Sequence, residues 1–283
     1  MKMLAAILSL ALLGTNAIQV DAREFEEIPL PNHITIATAP VGLPADEAVF
    51  LGSWEGKWDG VQPTILVVTF IDPKTHEVRG IYGQNKSKKK SRAYSAPFTG
   101  KIGLDKNNNK ILRWTFRNGR EIFFRMSRKH PTRLKGSIRQ DGKVRTKGKF
   151  TRAETRTDPK FSKQPLDEVT EANSAFLGTW CGYWNNSKPT NLAVVGVNGE
   201  GGVSGYYSYR NRSRFMFNGT IKSGSLRFTG KNGIVQHYEL NDDDTLDGTE
   251  IRPRRISTTR SKRCEPPQRS ARRNWRLPQR SGT

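Results

Sequence analysis

A nonapeptide occurs twice in this chain. Phe50-Leu-Gly-Ser-Trp-Glu-Gly-Lys-Trp58 returns as Phe176-Leu-Gly-Thr-Trp-Cys-Gly-Tyr-Trp184, identical at six of nine positions. The match continues in order through Pro63-Thr64 and Pro189-Thr190, Gly80-Ile-Tyr82 and Gly205-Tyr-Tyr207, Phe98 to Ile102 and Phe217 to Ile221, and Leu134-Lys-Gly136 and Leu246-Asp-Gly248. Self-similarity that keeps its order over such a distance means one folding unit used twice. The repeat divides the chain into a first module at 48–152, a linker at 153–173 and a second module at 174–250, followed by a basic tail at 251–283 that is expected to be disordered.

Inside each copy the sequence alternates strand and turn. Runs such as Thr64 to Phe70, Val203 to Tyr209 and Ile234 to Leu240 are rich in Val, Ile, Phe and Tyr, the residues that suit a pleated surface. Asn118-Gly119, Asp141-Gly142, Asn232-Gly233 and Asp247-Gly248 separate such runs and are hairpin signals. Six to eight short strands per copy, in units of about 80 to 105 residues, predict all-β architecture: two small antiparallel barrels in tandem. On an extended strand Trp54, Gly56 and Trp58 share a face, as do Trp180, Gly182 and Trp184, because side chains alternate with period two. That face is the expected interior, with Trp58 and Trp184 near the strand end where a barrel mouth would open.

With those motifs in place, each copy resembles the calycin group, the lipocalins and avidins, whose first strand carries Gly-x-Trp. Here the matching residues are Gly52-Ser-Trp54 and Gly178-Thr-Trp180, with Gly80-Ile-Tyr82 and Gly205-Tyr-Tyr207 similar to a later avidin strand. The resemblance implies a small apolar ligand inside a calycin-like barrel, met at its mouth by Trp58, Tyr82, Trp184 and Tyr207. Avidin-type sites use further tryptophans late in the chain. The first copy has only Trp114 after Trp58, and the second has none before Trp275 in the tail.

Catalytic motifs are missing. The four histidines, His33, His76, His130 and His237, sit in unrelated contexts, and no nucleophile elbow, zinc knuckle or His-Glu-x-x-His occurs. Glu55 and Asp59, the nearest thing to a carboxylate pair, become Cys181 and Asn185 in the second copy. Asp242-Asp243-Asp244 lacks the glycine and distal glutamate of a calcium loop. The expectation is a protein that is not an enzyme and uses no cofactor or metal.

Charge is where the copies part. Residues 48–152 hold 25 Lys/Arg against 7 Asp/Glu, residues 174–250 hold 7 against 7, and the tail adds 11 against one. In the first copy Lys86, Lys88, Lys89, Lys90 and Arg92 form one basic cluster, and Lys143, Arg145, Lys147 and Lys149 recur every second residue, so an unbroken strand would show them as one stripe. Such a row repels itself, which makes it a candidate surface for a polyanion; the bland alternative is a solvated face. The available anionic partners are glycans, lipopolysaccharide, membrane headgroups and nucleic acid.

The start of the chain reads as an export signal. Lys2 precedes an apolar run from Met3 to Leu13, too short to span a bilayer, and Val-Asp-Ala22 offers a cleavage site ahead of a segment at 23–47. A secreted or periplasmic location follows as an expectation. It would permit Cys181 and Cys264 to bridge; otherwise Cys181 is buried and Cys264 is free in the tail.

Overall fold

The computed structural model describes residues 23–86, 92–116, 118–127, 130–153, 171–210, 214–230, 233–252 and 255–264. The expected export signal at 1–22, Lys88, Lys89 and Lys90, linker residues 154–170 and the tail from 265 onward lie outside the described residues.

In the first copy, β1 (Gly52–Trp58), β2 (Gln62–Ile71), β3 (Glu77–Gln84), β4 (Tyr94–Leu104), β5 (Lys110–Thr115), β6 (Glu121–Ser127), β7 (His130–Gln140) and β8 (Lys143–Arg152) pair in chain order, and β8 returns to β1. In the second, β9 (Gly178–Trp184), β10 (Lys188–Val197), β11 (Gly202–Tyr209), β12 (Phe215–Lys222), β13 (Ser225–Thr229), β14 (Val235–Leu240), β15 (Thr245–Arg252) and β16 (Arg255–Arg263) close in the same way, β16 on β9. Every pairing is antiparallel. The protein is all-β, two closed eight-stranded barrels in tandem. Closure removes the open edges that a duplicated meander would otherwise expose.

The boundary at 250 is corrected by this topology. β16 lies in what the sequence presents as a basic tail, and it supplies the last ladder of the second barrel. Its residues are Arg, Lys, Ser, Thr and one Ile, so no apolar pattern marks it. Ser257, Thr259 and Ser261 are buried, while Thr258, Arg260 and Lys262 are exposed, and the backbone hydrogen bonds go to neighbours on both sides, as a buried strand requires. Just past the strand end, Cys264 is bonded to Cys181 on β9, 83 residues away. With β16 included, the second barrel, residues 174–264, holds 13 Lys/Arg against 7 Asp/Glu, so the contrast is +18 against +6.

Each barrel is shut at one end by the same device. The Trp54 indole donates to the Phe50 carbonyl at 2.9 Å, and the Trp180 indole to the Phe176 carbonyl at 2.9 Å. Over the ring of Trp54 lies the Arg152 guanidinium, 4.4 Å from its centroid, donating to the carbonyls of Leu51 and Val49 at 2.8 and 2.5 Å. Arg263 repeats this over Trp180 at 4.0 Å, donating to Leu177 and Ala175 at 2.5 and 2.7 Å. Both arginines satisfy carbonyls of the short turn that enters the first strand. The leading glycines follow from that geometry: Gly52 and Gly178 have φ of +112° and +127°, and a Cβ there would stand 2.8 and 2.5 Å from the arginine nitrogens. Arg152 is therefore a core clamp rather than a surface cation.

The first barrel adds a buried carboxylate to its closed end. Glu47 on α2 (Ala45–Ala48) is fully buried and receives Lys110 Nζ at 2.5 Å and His76 Nδ1 at 2.8 Å. Burial pushes its pKa up, but the hydrogen bonds and charges of Lys110 and His76 outweigh this and hold it below the ordinary value. A depressed folded pKa stabilises the protein above the unfolded value of 4.5, and that contribution is lost as pH falls through the folded pKa. Glu47→Gln is expected to cost the first barrel about 1–2 kcal/mol at pH 7, discounted because both partners are partly exposed. The difference from the parent should close toward pH 3 in urea titrations. A gap that stays constant with pH would show that the carboxylate charge is not what stabilises. The second copy has Asn173 at this position and should not share the response.

Residues 23–37 pack between the barrels as a strap. Phe25 on α1 (Arg23–Glu26), Ile28, Leu30 and Ile34 form one buried cluster with Ile65, Val67 and Ile81 of the first barrel and Ala193 and Tyr206 of the second. Both faces of β2 and β3 are thus covered, and the run Thr64-Ile-Leu-Val-Val68 is continuous rather than alternating for that reason. A third short helix, α3 (Glu171–Ser174), leads into the second barrel.

Candidate functional site

Inside the first barrel the predicted mouth residues meet, but not at an open mouth. The indole of Trp58 donates to the hydroxyl of Tyr82 at 2.7 Å, and both are 2 % exposed. Trp184 and Tyr207 repeat the bond at 2.7 Å with 1 % and 3 % exposure. The buried Thr64 and Thr190 hydroxyls donate to the Gln62 and Ser208 carbonyls at 3.2 and 3.1 Å. Burial holds both phenols above the ordinary value. Rings then fill the first barrel: Trp114 stacks on Phe98 at 4.2 Å and on Phe124 at 5.6 Å, and Phe150 meets Trp58 edge-on at 5.1 Å. A barrel of eight strands is just wide enough for its own side chains, and the expected ligand space is taken by these rings.

The second interior is more polar. Register places Gln236, Tyr238 and Glu250 where the first copy has Ile122, Phe124 and Ile138. The buried Glu250 carboxylate takes a hydrogen bond from Gln236 at 3.0 Å and another from Arg252. Beside Trp184 a recess of about 50 Å³ reaches Glu250, Arg252 and Ser257, well below the roughly 300 Å³ of an ordinary small-molecule site. Among the described residues no cluster of three or more His, Cys, Asp or Glu could hold a metal. Asp243 and Asp244, from the predicted acidic turn, instead pair with Arg260 at 2.9 Å and Arg263 at 3.1 Å.

The cationic surface is real but arranged differently from the sequence stripe. A bulge places Ile138 opposite Thr146 and Arg139 opposite Val144, leaving Arg145 as the extra residue of β8. An extra residue breaks the two-residue alternation. Lys143 and Arg145 are exposed near the hairpin end, and only Lys147 and Lys149 continue on the barrel wall. What replaces the stripe runs across the strands. Lys57, Lys149, Lys135 and Arg125 stand directly opposite one another on β1, β8, β7 and β6. The next row holds Lys147, Ser137, Phe123, Arg113 and Lys101. Neighbouring strands lie about 4.8 Å apart, so the first row sets four cations across roughly 15 Å.

Two cations in these rows are balanced, Lys57 by Glu24 and Arg125 by Asp105 at 3.4 Å. Lys101, Arg113, Lys135, Lys147 and Lys149 make no ion pair among the described residues; Glu77, directly opposite Lys101 on β3, is engaged by Arg79 at 3.0 Å. Like charges directly opposite one another destabilise a sheet, so this face carries a cost; in the second barrel the opposed cations are Arg252 and Arg255 at the β15–β16 hairpin, where Arg252 is paired with Glu250. Phe123 faces outward beneath the Arg139 guanidinium at 4.6 Å. Lys86 and Arg92 are exposed beside the β3–β4 connection. Lys57 and Lys101 were invisible as members of the patch because only strand pairing brings them to it.

No family model and no curated protein matches the chain. Among solved structures, a protein of unknown function of the DUF3598 family from Nostoc punctiforme is 13% identical with a TM-score of 0.24, over 78% of this chain and 100% of that one. A single-site variant of the vaccine antigen transferrin binding protein B from Haemophilus parasuis is 12% identical with a TM-score of 0.22, over 70% and 53%. The isotype 1 protein of that name from serogroup B Neisseria meningitidis is 11% identical at 0.21, over 71% and 52%. The chain spans about half the length of these two transferrin binding proteins. Scores this low carry no weight for function.

Proposed function

We propose that this is an exported, non-catalytic binding protein whose first barrel engages an anionic polymer or surface through the outer wall of β4–β8, with the basic tail adding affinity. The observation that carries it is the two-row patch of Lys and Arg, five of whose seven cations make no ion pair among the described residues, built by cross-strand pairing on one copy of a duplicated barrel. Generic solubility does not require opposed like charges on adjacent strands. Membership of each barrel in the calycin-like group belongs to the same proposal and is supported by Gly-x-Trp at the head of β1 and β9. An extracytoplasmic location is supported by the sequence of the first 22 residues and by the Cys181–Cys264 bond, which persists in oxidising compartments. Among the described residues no helix is long and apolar enough to cross a membrane. The carrier reading is less favoured because the first interior is packed with rings and the second offers only a small recess.

The test is elution of the full chain from immobilised heparin and polyphosphate in a salt gradient. Replacing Lys101, Lys135, Lys147 and Lys149 by Gln is expected to lower the eluting salt clearly and to flatten the salt dependence by about three to four in log–log slope, since each lost contact removes one counter-ion release. The same number of changes on the second barrel, at Lys188, Lys222, Arg227 and Lys262, should leave elution nearly unchanged. Equal shifts for both sets would reduce the patch to net charge.

A further inference from the structure

A cavity of about 240 Å³ lies where the two barrels and the strap meet. It exists because the strap fits one barrel more closely than the other. Over the second barrel the backbone lies tight: a Cβ on Gly196 would stand 2.0 Å from the His33 carbonyl, and the Ser204 hydroxyl binds that same carbonyl. The strap then crosses, its Thr35 amide bonding the Val195 carbonyl and its Ala37 amide the Thr69 carbonyl, which are the bulged residues of β10 and β2. Past Ala37 the chain turns outward, with Thr38 and Ala39 exposed. By the Gly80 and Gly205 match, the first-barrel counterpart of Ser204 is Arg79. Among the described residues no strap backbone lies over it as over Ser204, and the space there is the cavity.

The walls are apolar at Phe70, Leu177 and Val194, and Arg79 is the one charged side chain lining them. Arg79 uses its Nε on Glu77 at 3.0 Å, and its guanidinium lies 5.5 Å from the centre of the Phe70 ring. Its Nη1 is 3.3 Å from where a Cβ on Gly178 would stand, so the terminal nitrogens point toward the second barrel. Among the described residues they have no acceptor.

We infer that this cavity binds a short amphipathic carboxylate, the apolar chain against Phe70, Leu177 and Val194 and the carboxylate on the free end of Arg79. A guanidinium end presents two parallel N–H groups that match a carboxylate. The volume holds roughly eight water-sized groups, the size of an eight-carbon chain, and clefts between domains are common ligand sites. The site is separate from the cationic wall, and it meets the barrel cores only at their outer edge, through Phe98 and Val194.

Octanoate and octanol, titrated into the full chain and followed by calorimetry, test it. Octanoate is expected to bind one to one, at least tenfold tighter than octanol. Arg79→Met should remove that tenfold advantage and leave octanol unchanged. Ala37→Trp should fill the cavity and abolish both, and Thr179→Phe, entering from the opposite wall, should do the same if the tryptophan variant melts early. Absence of saturable octanoate binding overturns the inference. So does octanoate binding that survives Thr179→Phe, which would put the ligand elsewhere, or an Arg79→Met protein that still prefers the acid.

Discussion

A chain cut after Glu250 is expected to lose its second barrel, whereas a chain cut after Cys264 should keep it. The first cut removes β16 and the end of β15, and with them both ladders that join β9 to β15. Two strands then present unpaired backbone groups in a sheet built to have no edge. It also removes the Arg263 clamp, so the carbonyls of Ala175 and Leu177 lose the donors that satisfy them. Finally it leaves Cys181 unpaired. A bond closing 83 residues contributes about 2–4 kcal/mol by restricting the unfolded chain. Together these losses exceed the roughly 5–15 kcal/mol that holds a domain folded. Limited proteolysis should digest the shorter chain throughout 174–250 while sparing 48–152. Equal resistance of both barrels in that chain would mean that closure by β16 is dispensable.

The same strand shows where the sequence stops being legible. The duplication, the strand-rich pattern and the inward tryptophans are read directly from residues 50–58 and 176–184, because a nine-residue match constrains everything that follows it. β16 escaped because its inward face is Ser257, Thr259 and Ser261. The first copy at the position of Ser261 has Phe150, whose ring fills the core. A strand whose inner face meets a polar interior looks like solvated chain, and nothing local separates the two. The strap escaped for another reason: Phe25, Ile28, Leu30 and Ile34 follow neither a period of two nor one of 3.6, since they fill an irregular space between curved walls. In the candidate site, Lys147 and Lys149 of β8 stay on the barrel wall while Lys143 and Arg145 leave the expected stripe. A one-residue bulge at Arg145 is enough to rotate Lys143 out of line. Pairs such as Lys57 and Lys149, 92 positions apart in the chain, become neighbours only through closure.

Replacing Arg152 by Met should destabilise the first barrel by about 4 kcal/mol, a fall of roughly 20 °C in melting temperature for a domain near 100 residues. Methionine keeps much of the apolar stem over the Trp54 ring, so the loss isolates the guanidinium. That group makes two charge-assisted hydrogen bonds to Leu51 and Val49 and lies over the indole face. Such bonds contribute about 1.5–3 kcal/mol each when their acceptors are left without a donor, and a desolvated cation over tryptophan adds about 1–2. Lysine is expected to recover less than half of the loss, because an ammonium cannot span two carbonyls with the planar fork of arginine. The ring and the guanidinium act together, so Trp54→Phe combined with Arg152→Met should cost less than the sum of the two separately, by about 1 kcal/mol. Arg263→Met provides the internal comparison. The clamp geometry is the same at 4.0 Å over Trp180, but Asp244 also holds the arginine and the Cys181–Cys264 bond fixes the adjacent residue. With the disulfide intact the second barrel should therefore lose less on this change than the first, and after reduction the two losses should converge. Strict additivity in the first barrel would show that ring and guanidinium contribute separately, and a larger loss in the oxidised second barrel would show that the disulfide does not share the task of holding β16 against β9.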